Sequence, residues 1–159
     1  MSRQPPDRIE LEQFLPYRLS VLTNVVSSSI ASAYQRRFGL GIPEWRVIAV
    51  LARHPGLSAA EVATFTRMDA VAVSRAVTRL TRAGRLRRSV AREDRRRSIL
   101  RLSPAGRAVY GKIAPLALDY ERDLLDCLDA KQAAALDSII GKLTARAHSL
   151  ASPRPEDGT

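Results

Sequence analysis

The sequence predicts a mainly α-helical chain carrying one small β-hairpin. Apolar residues recur at spacings of three and four over several long segments, the period of a single helix face. Two short segments, LRRSV and SILRL, are instead rich in apolar and β-branched residues and flank the polar run AREDRRR, the pattern of a hairpin with a long basic tip. A third observation concerns charge: of the net +10, the stretch from Arg67 to Arg101 carries +9, because its twelve arginines face only Asp69, Glu93 and Asp94.

The elements follow in order. Leu15, Leu19, Leu22, Val26, Ile30, Ala33 and Phe38 form one apolar helix face, with Pro16 in the first turn and Gly39 and Gly41 at the end. Leu11 and Phe14 lie on a short arm ahead of it. So much apolar surface at one end of a small chain points to a partner subunit. A second helix is expected from Pro43 to about Arg53, stopped by Pro55 and Gly56. Ser58 and Glu61 have capping-box spacing for a helix of about two turns. Asp69 then caps AVAVSRAVTRLTRAG, whose apolar face is Val73, Ala76, Val77 and Leu80 and whose end is Gly84. Two short helices across a tight polar turn make a helix-turn-helix, and the hairpin directly behind it makes a winged helix. Ser103 caps a long helix from Pro104 to about Leu128, with a kink expected near Pro115. Asp129 and Gln132 open a last helix with Ala133, Leu136, Ile139, Ile140 and Leu143 on one face. The tail ASPRPEDGT has a composition expected to be disordered.

Composition narrows the function. The chain of 159 residues is long enough for a core of its own, and its single cysteine, Cys127, excludes an internal disulfide framework. The two histidines stand far apart with no metal-ligand spacing, so neither metal nor cofactor is expected. No apolar run approaches the roughly 20 residues of a membrane span, and the N-terminus lacks a signal-peptide core; a cytoplasmic protein is expected. There is no glycine-rich phosphate loop and no nucleophile motif, so an enzyme is not expected. A block of arginine without lysine suits phosphate, because guanidinium groups fork onto phosphate and guanine edges.

The order of elements, together with EWRVIAVLARHPGLSAAEVA, VSRAVTRLTRAGRLRRS and REDRRRSILRLSPAGR, resembles the MarR (multiple-antibiotic-resistance regulator) family of bacterial winged-helix transcription factors over roughly residues 9 to 150. The wing pattern of Asp94 and Arg96, followed by a strand and LSPAG, is its most specific part. The resemblance implies a single MarR-like domain over 1–159. Its parts are a helical dimerisation region (9–40 and 104–150), a winged helix-turn-helix DNA-binding region (43–102) and a disordered tail (151–159). It implies a homodimer on pseudo-palindromic double-stranded DNA, acting in transcription regulation as a ligand-responsive repressor.

By the same resemblance, residues 70–83 form the recognition helix in the major groove. Ser74, Arg75, Thr78 and Arg79 are left outside its apolar face, with Arg75 expected on a base. Arg79 and Arg82, further along, are expected to serve phosphates or to pack on the protein itself. The amide end of the helix at Ser58 can hold a phosphate. Arg92, Arg95, Arg96 and Arg97 sit at the wing, where arginine enters a narrow minor groove, and Asp94 orients Arg96.

Tyr17, Arg18, Trp45 and Arg46 are the effector candidates, for a small aromatic or phenolic acid or its acyl thioester; Trp45 is also well suited to plain core packing. One departure from the family is Ile42 before Pro43, where a capping serine or threonine is common. Cys127 is expected to be buried and inert in the penultimate helix, and His54 to close its helix. The competing reading of the whole chain is an architectural DNA-binding protein that needs no effector.

Overall fold

A computed structural model describes residues 9–90 and 98–151. They fall into two compact units, divided between Ala117 and Leu118.

The first unit begins with α1 (Leu15–Phe38), which has Pro16 in its first turn and closes at Gly39, whose left-handed φ of 60° sends its N–H back to the Gln35 carbonyl. Helix α2 (Ile42–Arg53) starts one residue earlier than the proline suggests, with Gly41 as its N-cap and no side-chain cap. In place of a cap, Glu44 in the first turn curls back over Gly41: a Cβ there would lie 2.5 Å from Glu44 Oε2. A carboxylate at this end of a helix is favoured by the helix dipole. The departure at Ile42 thus has a structural counterpart, an entry closed by glycine and glutamate.

Helices α3 (Ala59–Thr66) and α4 (Ala70–Arg82) are the helix-turn-helix. Ser58 Oγ accepts from the Glu61 N–H at 3.3 Å while Glu61 Oε2 accepts from the Ser58 N–H at 2.7 Å, the reciprocal capping box. The turn is tight because Arg67 takes a left-handed φ of 55°, unusual for a residue with a Cβ. Asp69 then caps α4 by accepting from the Ala72 N–H at 2.8 Å. The apolar face of α4 is buried at Val73, Ala76, Val77 and Leu80, as its periodicity predicts.

Strands β1 (Leu86–Val90) and β2 (Ser98–Leu102) pair antiparallel with Leu86 opposite Leu102 and Val90 opposite Ser98. Leu57 adds a bridge to Leu100, which ties the base of the hairpin to the start of α3. Leu86, Leu100 and Leu102 join Val47, Ile48, Leu51, Val62 and the α4 face in one core, together with Tyr34, Leu40 and Ile113.

Ser103 caps α5 (Pro104–Leu125) and also fastens it to the preceding turn: its hydroxyl accepts from the Gly106 N–H at 3.0 Å and donates to the Gly84 carbonyl at 2.6 Å. Helix α5 runs through Pro115 and ends at Leu125, three residues short of the expected end.

The second unit holds the end of α5 and α6 (Ala130–Ala151), opened by the Asp129–Gln132 capping box. No residue of α6 is buried; Leu136, Ile139, Ile140 and Leu143, the expected apolar face, are exposed. Cys127 is a correction. It is exposed in the turn after α5, because the helix ends before reaching it, and its thiol points to the Leu124 carbonyl. In α1 the buried positions are Ala31 and Tyr34, and Leu15, Leu19, Leu22 and Ala33 of the expected face are exposed. Among the described residues no helix is long and apolar enough to cross a membrane.

Candidate functional site

Because the inner face of α4 is committed to the core, its outer face is determined. Val71, Ser74, Arg75 and Thr78 all stand exposed, at the spacing of three and four that aligns them along one outward stripe, and Arg82 continues it one turn on. Three of the four α4 candidates, Ser74, Arg75 and Thr78, therefore share this stripe. The Thr78 hydroxyl donates to the Ser74 carbonyl at 2.9 Å, so it presents lone pairs outward.

Arg79 is exposed too, but its guanidinium is engaged. Nη1 donates to Glu44 Oε1 at 2.8 Å, across 35 residues of chain, and the Glu44 side chain is only 4% exposed. Glu44 Oε2 has no hydrogen-bond partner among the described residues. The pair bolts α4 to the start of α2. Arg79→Ala should therefore cost stability, about 2 kcal/mol for stranding a buried acceptor, while changing the salt dependence of DNA binding little. Thermal melting and a salt titration of the variant measure the two effects separately. A large loss of salt dependence with unchanged melting would put Arg79 on a phosphate.

At the lower end of the stripe, Thr78, Thr81, Arg82 and Arg88 line a notch of about 200 Å³ between α4 and β1. Arg88 is not evident as a site residue from the sequence, because only the packing of β1 beside α4 brings it near Arg82. On the opposite face of the hairpin Arg87 stands directly across from Arg101. Like charges in this position repel, and no carboxylate among the described residues bridges them; an anion would relieve the repulsion. The strands thus extend the basic surface beyond α4. Arg92, Asp94, Arg95, Arg96 and Arg97, the wing-tip candidates, lie outside the described residues.

Ser58 is placed where expected, at the N-cap of α3, but its groups are occupied. Its N–H and hydroxyl both donate to Glu61 Oε2, at 2.7 and 2.8 Å.

The four effector candidates separate into two pairs. Trp45 and Arg46 line a cavity of about 190 Å³ with Ser27, Ile30, Tyr34 and Ile42. Tyr17 and Arg18 line a shallow groove on α1 with Val21, Leu22 and Val25. Trp45 is held between two tyrosines, with ring centroids 5.7 Å from Tyr34 and 5.9 Å from Tyr110, so its ring both packs and forms the cavity wall. Burial pushes the Tyr34 hydroxyl above its ordinary 10.0; nearby Arg46 lowers it and Glu44 raises it. An acid whose folded value lies above the unfolded one stabilises fully below the unfolded value and loses that contribution as pH rises through the folded value. Melting temperature should accordingly fall above about pH 10, and Tyr34→Phe should flatten that decline; an unchanged decline would exclude Tyr34 as its source. His54 sits just past α2 and stacks on Phe65 at 4.7 Å. Among the described residues no group of histidine, cysteine, aspartate or glutamate could hold a metal ion.

Comparison with known proteins agrees with this geometry. The MarR family model matches residues 38–97, a range that includes α2, the helix-turn-helix and β1. A MarR/EmrR family transcriptional regulator from Acinetobacter sp. ADP1 is 25% identical and has a TM-score of 0.81, with 89% of this chain and 99% of that one covered. BpsR of Bordetella bronchiseptica, whose DNA binding is regulated by 6-hydroxynicotinic acid, is 19% identical with a TM-score of 0.77, covering 86% of this chain and 97% of its own. PcaV of Streptomyces coelicolor, solved with its natural ligand, is 23% identical with a TM-score of 0.71, covering 88% and 98%. A search of curated proteins returned no match. The outward stripe on α4, the arginine-bearing hairpin beside it and these likenesses point the same way: the chain has the winged-helix fold of MarR-family transcriptional regulators and matches the MarR family model over residues 38–97.

Proposed function

We propose that the protein is a dimeric, sequence-specific repressor that a small aromatic acid releases from DNA. The observation that carries the DNA part is the outward stripe of α4, where Ser74, Arg75 and Thr78 stand free of the core in the pattern of a helix laid into a major groove. Two copies would dock such helices about one helical turn apart on a pseudo-palindrome. The exposed apolar residues Leu15, Leu19 and Leu22 of α1, and Ile139, Ile140 and Leu143 of α6, offer the surface for pairing. Arg96, oriented by Asp94, would reach the minor groove from the wing, while Arg92, Arg95 and Arg97 add field and backbone contacts.

The effector reading rests on the cavity beside Trp45. At about 190 Å³ it exceeds the roughly 150 Å³ that holds a benzene, which favours a single substituted ring over the bulk of an acyl thioester. Trp45 and Tyr34 supply aromatic walls, and Arg46 supplies a guanidinium for a carboxylate. That BpsR is regulated by 6-hydroxynicotinic acid, a one-ring acid, supports the same class here. Tyr17 and Arg18 belong to this site only if a second copy brings its own α1 to it. Binding of the acid would release DNA by favouring the conformer with the lower DNA affinity.

The test is a screen of one-ring aromatic acids against the protein bound to a duplex selected from a random pool, repeated with Arg46→Ala. Release by a subset of acids, lost in the variant, is expected. Release by none would favour the architectural reading, in which DNA is bound without an effector.

A further inference from the structure

Val71 is an anomaly on the recognition helix. It lies in the first turn of α4, is 59% exposed, and takes no part in the core formed by Val73, Ala76, Val77 and Leu80. A β-branched residue there is also a poorer helix former than the alanines on either side of it. A single exposed apolar residue needs no explanation by itself. Its position does: it heads the same stripe as Ser74, Arg75 and Thr78, so whatever surface those polar groups meet, Val71 meets as well. Phe65, exposed on α3, differs in having His54 stacked on it.

We infer that Val71 reads a thymine methyl group in the major groove. This rests on the DNA-binding reading above, which says only that the stripe faces bases. A major groove lined by donors and acceptors offers one apolar feature, the C5 methyl of thymine. A branched aliphatic side chain at the N-terminal end of the helix is placed to cover it, since that end approaches base edges most closely. Val71 and Arg75 are four residues apart, about 6 Å along the helix axis, which corresponds to about two base pairs at 3.4 Å each. The half-site should therefore carry a thymine about two base pairs from the guanine paired with Arg75.

Uracil lacks only that methyl, which makes the inference testable on one atom group. Duplexes are first selected by the full-length protein from a random pool, and the recovered half-site is expected to contain this thymine. Replacing it by uracil should weaken wild-type binding about 4-fold, the effect of one apolar group left uncovered. Val71→Ala should weaken binding to the thymine duplex by a similar factor, bind thymine and uracil duplexes alike, and melt with the wild type. Equal binding of both duplexes by the wild type would overturn the assignment, as would a Val71→Ala loss of the same size on both. Recovery of no shared sequence would instead overturn the specific DNA reading on which it rests.

Discussion

Arg75→Ala should leave the fold intact and relax base preference at one position in each half-site. The side chain is exposed on the outward face of α4, and no ion pair holds it among the described residues, so its removal strands no buried group. Its guanidinium is free to fork onto the O6 and N7 of guanine, an arrangement that discriminates between bases by about 1 to 3 kcal/mol, or roughly 5- to 150-fold. Competition binding across all single-base variants of the selected duplex would show the preference flattened at one place and kept elsewhere. Uniform weakening on every sequence would assign Arg75 to a phosphate. The contrast with Arg79 is informative. The two arginines are four residues apart on one helix, yet one faces outward unpaired and the other is fixed on Glu44.

Gly106→Ala should destabilise the protein by about 3 kcal/mol, enough to lower melting by about 10 °C. Gly106 is buried in the first turn of α5, where an added Cβ would collide with the Arg85 carbonyl oxygen. That oxygen cannot retreat easily, since it accepts the Ser103 N–H at 3.0 Å. Ser103 in turn joins Gly84 and Gly106, so the clash falls on the junction that sets the hairpin against α4. Gly111→Ala is the control. The position is an exposed site within the same helix with nothing near an added Cβ, and alanine there should stabilise by up to about 1 kcal/mol. Equal behaviour of the two variants by thermal melting would show that packing against Arg85 does not constrain the junction.

The local features were legible because they are local. Ser58 with Glu61, Asp129 with Gln132, and the cap at Asp69 are contacts over three residues, and a helix period exposes the face of α4 directly. The same period misleads for α1 and α6. Leu15, Leu22, Ile139 and Ile140 each belong to an apolar helix face, but periodicity does not say what covers it, and among the described residues they stand exposed. Cys127 lies past the end of α5, which stops three residues before the expected Leu128 in a stretch without glycine or proline to mark the stop.

Contacts over longer distances leave no such trace. Glu44 and Arg79 are two ordinary charged residues on separate helices until the fold brings them to 2.8 Å, and Arg88 joins Arg82 only through the packing of β1 beside α4. The LSPAG motif is conspicuous in the sequence through its resemblance to a family pattern. Its physical content, a serine that caps one helix and binds the turn after another beside a glycine that clears a carbonyl, required the structure. The effector candidates show the same division, since proximity along a likeness to a family did not distinguish Trp45 and Arg46, which share a cavity, from Tyr17 and Arg18, which line another.

The central claim is that the exposed stripe of α4 reads sequence. It is tested most directly by measuring affinity at physiological salt for the selected palindromic duplex and for a scrambled duplex of equal length and composition. Binding at least about 1,000-fold tighter to the selected duplex is expected. Equal affinity for the two would contradict it, reducing the arginines of α4 and the hairpin to a field for any polyanion.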